Sequence, residues 1–497
     1  MSTNERGLKF ITTGLLLGIF MVMMDVTILD TVMGAIIVDI KGIDKIAWVS
    51  SAYLCMSMAG MPIFGKLADM YGRKKFYTYG LTIFIIGSFL CSTAASMTEL
   101  SIYRAIQGIG GGSLVPIALA IILEVYPPER RAMVGATLGM VFGLADVIAP
   151  LLGAYITAYL SWHWVFYINI PIGLLSFIMI TFCYKESSVS AKHKLDWSGA
   201  ITLVGAVVSL MLVLGLGGSK YSWSSVVIVS LFITFLVFLV VFVYIENRAK
   251  EPIIPYQLFK DKLFTISNVA KFFYGATFVM AMVYAPIFVQ GVLGRSVIDA
   301  GLTMLPMTIT MIISGQVGSF FMSKTNFRTI MVVSGLLFLI GTYLLSTVAP
   351  TTTFSLIIFS MALMGAGAGA SFTVLGIAAI HNLNSNQYGS ANSIVSFSST
   401  LGMTMGISIF GIIQRNVFLQ RLNDPSMVED LQLFAVDPNA IMRPETRGYI
   451  PEQILQKIAE ALSVSIADAF MWATVSAALA LLCGLLMGKE RLEDIKK

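Results

Sequence analysis

The sequence predicts an all-α membrane protein of fourteen spanning helices: two six-helix bundles plus two intervening helices. Three observations predict it. The 497 residues are 57% hydrophobic and only 12% charged, about half the charge of an ordinary soluble domain, so most of the surface must face lipid. Fourteen apolar runs reach the roughly 20 residues that cross a bilayer as a helix. Lipid offers backbone N–H and C=O groups no partners, so these runs must be helical. Lysine and arginine, finally, sort by side across the same runs.

The runs centre on 10–34, 47–66, 77–97, 100–124, 133–158, 164–184, 198–218, 225–245, 265–290, 300–322, 328–349, 354–380, 389–414 and 468–488. The first follows Arg6 and Lys9. It is too long for a signal-peptide core and lacks a small-residue cleavage site, so it reads as an uncleaved span. With the N-terminus placed in the cytoplasm, roughly two-thirds of the 32 lysines and arginines fall on the cytoplasmic side. Both termini are then cytoplasmic. The polar stretches 185–197 and 246–263 read as linkers. The expected organisation is an N-terminal six-helix bundle over 1–184, a linker with two extra spans over 185–263, and a C-terminal six-helix bundle over 264–497. The last includes a long outer loop, 415–467, in which Pro451 opens a surface helix with Ile454, Leu455, Ile458 and Leu462 on one face.

The net charge of +5 forms no basic patch with interleaved aromatics, which argues against nucleic acid as a partner. Cys55, Cys91, Cys183 and Cys483 all lie in apolar runs with no metal spacing and read as small buried hydrophobes. There is no H-E-x-x-H, no P-loop, no Ser/His/Asp set and no soluble catalytic domain. An enzyme is therefore not expected, nor a cofactor or a metal. The chain carries 29 methionines, which suit either a promiscuous apolar cavity or ordinary lipid-compatible filling.

Asp25, Asp30, Arg104, Asp146 and Lys271 fall inside spans. A charge at the bilayer centre costs about 2.5–3.5 kcal/mol on insertion scales, which makes each a candidate functional residue. Arg104 cannot deprotonate and so needs an acid partner. Asp25 and Asp30 are five residues apart, about 140° around a helix, and do not share a face. Lys271 either pairs with an acid or snorkels toward a span end.

Several motifs resemble those of the major facilitator superfamily, in its fourteen-span drug:proton antiporter branch. Gly65-Lys66-Leu67-Ala68-Asp69-Met70-Tyr71-Gly72-Arg73-Lys74-Lys75 fits G-x-x-x-D-x-x-G-R-K-K, motif A of that family. Tyr103-Arg104-Ala105-Ile106-Gln107-Gly108-Ile109-Gly110-Gly111-Gly112 looks like motif B. Met24-Asp25-Val26-Thr27-Ile28-Leu29-Asp30 resembles L-D-x-T-I-V-N, with Asp30 where the branch has Asn. Gly143 to Ala154 resembles the antiporter motif C: Pro150 and Gly153 match, Ala149 and Ala154 replace glycines, and Asp146 replaces a small neutral residue. Trp162-His163-Trp164-Val165-Phe166-Tyr167-Ile168-Asn169-Ile170-Pro171-Ile172-Gly173 is similar to W-R-W-I-F-x-I-N-x-P-I-G.

The resemblance implies a proton-coupled efflux antiporter in a bacterial plasma membrane, exporting lipophilic or cationic small molecules and acting as a monomer. It assigns Asp25, Asp30, Arg104 and Asp146 to proton coupling or substrate binding. Gly65, Asp69, Gly72, Arg73 and Lys74 become a cytoplasmic gate, and Pro150 and Gly153 a hinge. A facilitator or symporter for a metabolite, siderophore or lipid precursor is the alternative.

Overall fold

The computed structural model describes residues 5–41, 46–186, 196–218, 221–422 and 451–491. The described chain is helical almost throughout. Its helices are α1 (Glu5–Ile40), α2 (Ile46–Tyr71), α3 (Arg73–Cys91), α4 (Met97–Val125), α5 (Pro128–Tyr159), α6 (Trp164–Tyr167), α7 (Asn169–Cys183), α8 (Trp197–Leu216) and α9 (Val226–Glu246). They continue with α10 (Lys262–Gly291), α11 (Val297–Leu302), α12 (Met304–Met322), α13 (Phe327–Ser346), α14 (Phe354–Ile380), α15 (Tyr388–Leu422) and α16 (Glu452–Leu486).

Twelve of the described helical segments are long and apolar enough to cross a membrane. The set omits α2 and α3, which are 26 and 19 residues long. Arg73, Lys74 and Lys75 at the start of α3 dilute its apolar character, while serines and glycines do so in α2. Two expectations change. The outer loop drawn over 415–467 narrows, because α15 continues to Leu422 and helix resumes at Glu452. Pro451 does open a helix, and Ile454, Ile458 and Leu462 on its inner face are buried. That helix is the last span itself, 35 residues without a break, rather than a separate surface element. The segment 423–450 lies outside the described residues.

The chain divides into two compact units. One holds the residues up to Thr265 together with Gly376–Phe397, and the other holds Ile266–Leu375 and the residues from Ser398 to Asp494. Both α8 and α9 therefore belong with the first unit. Within it, α4 is the central helix and packs against α2 and α3, while α1 packs against α5 and α7. In the second unit α13 packs along α16. Met21, Met24 and Met58 in the first unit and Met280 and Met307 in the second are at most 3% exposed, filling helix interfaces. By contrast α9 buries only Ile228, Phe242 and Glu246 of its 21 residues.

Glycines let α4 approach so closely. A Cβ at Gly108 would lie 2.3 Å from the Tyr53 carbonyl oxygen, and one at Gly112 would lie 2.2 Å from that of Ser57. The obstacle is α2 backbone in both cases and cannot swing aside. Gly108→Ala and Gly112→Ala should each destabilise the folded chain by roughly 1–3 kcal/mol, the usual penalty of overpacking. Gly34, where an added Cβ would meet nothing within 4 Å, is the control: Gly34→Ala should hold or raise stability, since alanine favours helix. Thermal unfolding in detergent checks both, and equal melting temperatures for all three variants would contradict the close α2–α4 contact.

Candidate functional site

Two polar centres stand out in the first unit. The deeper joins α1, α3, α4 and α7. Asp25 and Arg104 have side chains 0% and 1% exposed, and Arg104 Nη1 donates to Asp25 Oδ2 at 2.5 Å. Gln107, one turn along α4 from Arg104, shares its face. Its Oε1 accepts from Arg104 Nη1 at 2.7 Å, and its Nε2 donates to Asp25 Oδ1 at 2.9 Å. Asn169 Nδ2 reaches the same Asp25 oxygen at 2.7 Å and Ser88 Oγ at 3.0 Å. Ser88 donates in turn to the Phe166 carbonyl. The Arg104 guanidinium lies 4.2 Å from the centre of the Tyr53 ring, whose electron-rich face favours a cation. The pair is thus sealed among neutral donors and aromatic surface, with Asp25 accepting three hydrogen bonds. Among the described residues, Arg104 Nε, Asn169 Oδ1 and the Tyr53 hydroxyl have no hydrogen-bond partner.

The second centre lies at the α2–α3 turn. Gly72 has φ 113°, a region open to glycine and strained for other residues. Asp69 caps the start of α15: its carboxylate accepts from the Gly389 and Ser390 N–H groups at 2.9 and 2.7 Å and from Ser390 Oγ at 2.9 Å. A helix start is where unpaired N–H groups gather and an anion is favoured. Gly65 makes the approach possible, since a Cβ there would stand 2.7 Å from the Gly389 carbonyl oxygen. Arg73 binds Asp69 at 3.0 Å and Glu124 at 2.8 Å, and also donates to the Ser385 carbonyl. Tyr184 donates to Glu124 at 3.1 Å. Glu186 accepts from the Arg73 and Lys74 N–H groups and so caps α3. Lys74 joins through its backbone. Burial pushes the Glu186 carboxyl above the usual carboxylate range, and the N–H bonds pull it back only in part. A cavity of about 550 Å³ opens beside this network. Charges of both signs line it, including Lys66, Asp69, Glu124 and Glu251, far more charge than the few polar groups that mark a site for lipophilic molecules.

The family model described as Major Facilitator Superfamily matches residues 15–199 and 197–407. The chain belongs to the major facilitator superfamily. It is a multi-pass membrane transporter and not an enzyme. Multidrug resistance protein 3 of Bacillus subtilis is 46% identical over 99% of this chain and 97% of its own length. Multidrug transporter protein MdtP of the same organism is 37% identical over 81% of this chain and 74% of its own length. Among solved structures, the human organic anion transporter MFSD10 matches with a TM-score of 0.59 over 94% of this chain and 99% of its own. At 12% identity that likeness concerns the fold alone.

Of the residues that superfamily motifs single out, Asp25 and Arg104 come together directly, and Gly65, Asp69, Gly72 and Arg73 build one network. The α5 helix continues through Pro150. Gly153 admits α1, because a Cβ there would meet Ile28 and Thr31 side chains at 3.1 Å. The side chains of Asp30 and Asp146 lie outside the described residues. Lys271 neither snorkels to a helix end nor forms an ion pair among the described residues. Its Nζ sits 4.4 Å from the centre of the Phe372 ring. Gln107, Asn169, Ser88 and Tyr53 were not expected. For Gln107 and Asn169 a faint signal was available, a neutral amide inside an apolar run, and for Gln107 also a spacing of three from an arginine; Ser88 and Tyr53 carried none.

Removing Arg104 leaves a buried carboxylate unpaired, a loss of about 3–5 kcal/mol. Arg104→Gln should therefore lower the melting temperature sharply. Adding Asp25→Asn should recover much of the loss, because no charge then remains to be compensated. Purely additive losses in the double variant, measured by thermal unfolding, would mean that the two residues do not act as a pair.

Proposed function

We propose that this transporter is a proton-coupled efflux antiporter, exporting lipophilic or cationic small molecules across a bacterial plasma membrane. It spans the membrane fourteen times, with α2 and α3 joining the twelve apolar segments, keeps both termini in the cytoplasm and works as a monomer. Its working parts are an N-terminal bundle over 1–184, two extra spans within 185–263 and a C-terminal bundle over 264–497. Efflux is supported by the 46% identity to a multidrug resistance protein along nearly the whole of both chains. The observation that carries the coupling is the sealed Asp25–Arg104 pair.

A carboxylate so placed has two states. Ionised, it satisfies Arg104. Protonated, it loses that attraction, and the guanidinium is left to Gln107, the Tyr53 ring and any water that enters. Protonation and a change in the packing of α1 against α4 are therefore the same event seen twice. Transport follows if Asp25 meets protons from one side of the membrane and releases them to the other, the alternating access of secondary transporters. Asp30 and Asp146 are further carboxylates for proton coupling or substrate binding. The Asp69–Arg73 network is the cytoplasmic gate: it fixes the start of α15 by charge-assisted bonds that each cycle breaks and remakes.

Inverted vesicles loaded with protons test the coupling. Wild-type protein should drive uptake of a cationic dye and a neutral substrate, both stopped by an uncoupler. Asp25→Asn, which keeps the shape of the side chain, should abolish gradient-driven uptake and spare downhill exchange. Wild-type uptake by Asp25→Asn at two pH values would show that the pair is structural. Substrate movement in the same direction as protons would favour the symporter for a metabolite, siderophore or lipid precursor.

The gate is tested separately. Asp69→Asn loses the charge that holds two N–H groups and Arg73 while keeping the size of the residue. Its transport rate should fall about tenfold or more, the loss of roughly two charge-assisted bonds, while dye affinity in detergent stays near wild type. An unchanged rate would reduce the motif to a topology signal.

A further inference from the structure

The second unit carries a membrane-embedded cation that the coupling scheme leaves unused. Lys271 lies nine residues into α10, about 14 Å from its start at 1.5 Å per residue, too far inside to be an end residue. Two positions earlier is Val269, 43% exposed, the sole exposed residue of α10 beyond Lys262. Two residues turn a helix by about 200°, so Lys271 stands on the opposite, interior side. An aromatic wall stands beside it. Phe372 of α14 lies under the ammonium at 4.4 Å, Phe278 packs on Phe372 at 5.4 Å, and Tyr274 follows at 6.4 Å. Lys271 and Phe372 are both partly exposed, so a ligand can reach them.

Among the described residues this site holds no anion. Arg73 and Arg104 each hold a carboxylate, whereas none of the ion pairs among the described residues involves Lys271. The described acids of this unit are Asp299, Glu452, Glu460, Asp468 and Glu490; Asp299 is engaged in capping α11. A ring face attracts a cation by about 0.5–2 kcal/mol, less than a desolvated ammonium gains from an anion hydrogen-bonded to it. Asp25, by contrast, is sealed and already paired, and so offers no free carboxylate to a cation.

We infer that Lys271, with the Phe372–Phe278 wall, is a subsite that binds the acidic group of an anionic or zwitterionic aromatic amphiphile. The inference rests on the export reading for its physiological sense, and extends the substrate class from lipophilic and cationic molecules to those bearing a carboxylate or sulfonate. The ammonium receives the acid, and the rings receive the adjoining aromatic body.

Matched probes that differ in one group decide the matter: pyrene-1-butyrate and its neutral amide, titrated against the purified full-length protein in detergent. Wild-type protein should bind the acid about ten- to a hundredfold more tightly than the amide, the range of a hydrogen bond to a charged group. Lys271→Arg should keep that preference, and Lys271→Met and Lys271→Gln should lose it. Phe372→Leu should weaken both probes. Equal wild-type affinities overturn the inference, even if Lys271→Met fails to fold. A preference that survives in either neutral variant also overturns it. Failure of the export reading looks different: no proton-driven dye movement in vesicles, with the acid preference in binding intact.

Discussion

A carboxylate and a guanidinium taken out of water each forfeit several kcal/mol of hydration. In the Asp25–Arg104 pair that loss is offset by their mutual attraction, two amide side chains and one aromatic face. Either member left alone at that depth costs several kcal/mol. The requirement that both be present and in register reaches outward through four helices. It fixes the rotation of α1 about its axis, brings the first half of α4 to α1, and calls Asn169 and Ser88 in from α7 and α3. Much of the first unit's architecture can be understood as whatever holds those groups within hydrogen-bonding distance.

The glycines of α4 belong to the same constraint. Tyr53 can lie over Arg104 because α2 comes to within backbone contact of α4, and that contact is closed to any larger residue at 108 or 112. A run of glycines costs helix stability in water. In lipid, where apolar side chains gain nothing by meeting one another, close backbone approach is instead a main source of attraction between helices.

The two centres differ in how far the sequence disclosed them. Charges inside apolar runs are conspicuous, so Asp25 and Arg104 announce themselves, and the need of a buried arginine for an acid narrows its partners. Which acid it takes depends on a contact 79 positions apart in the chain, which only the packing of α1 on α4 decides. Gln107 and Asn169 are harder to see, because a neutral amide barely alters the apolar character of a span. At the α2–α3 turn the donors and acceptors Asp69 and Arg73 were legible from spacing. Their receivers were not: the Gly389 and Ser390 N–H groups carry no side-chain signature, and Glu186 sits in a stretch that reads as a spacer. The unbroken α16 was hidden for a related reason. Its first half is amphipathic and looks like a surface helix, and nothing in the local pattern marks where the apolar half takes over.

The nearly naked helix α9 has a consequence of its own. With only three of its 21 residues buried, it packs along α8 and leaves most of its surface to lipid. At 1.5 Å per residue it is about 32 Å long, close to the roughly 30 Å depth of a hydrocarbon core. A change in bilayer thickness therefore acts on the α8–α9 pair through the lipid-facing surface of α9, the pair leaning further in a thin bilayer than in a thick one. Glu246, the buried residue at its end, hydrogen-bonds the Ile253 N–H of the following segment. Through that bond bilayer thickness acquires a lever on the polypeptide leading into α10.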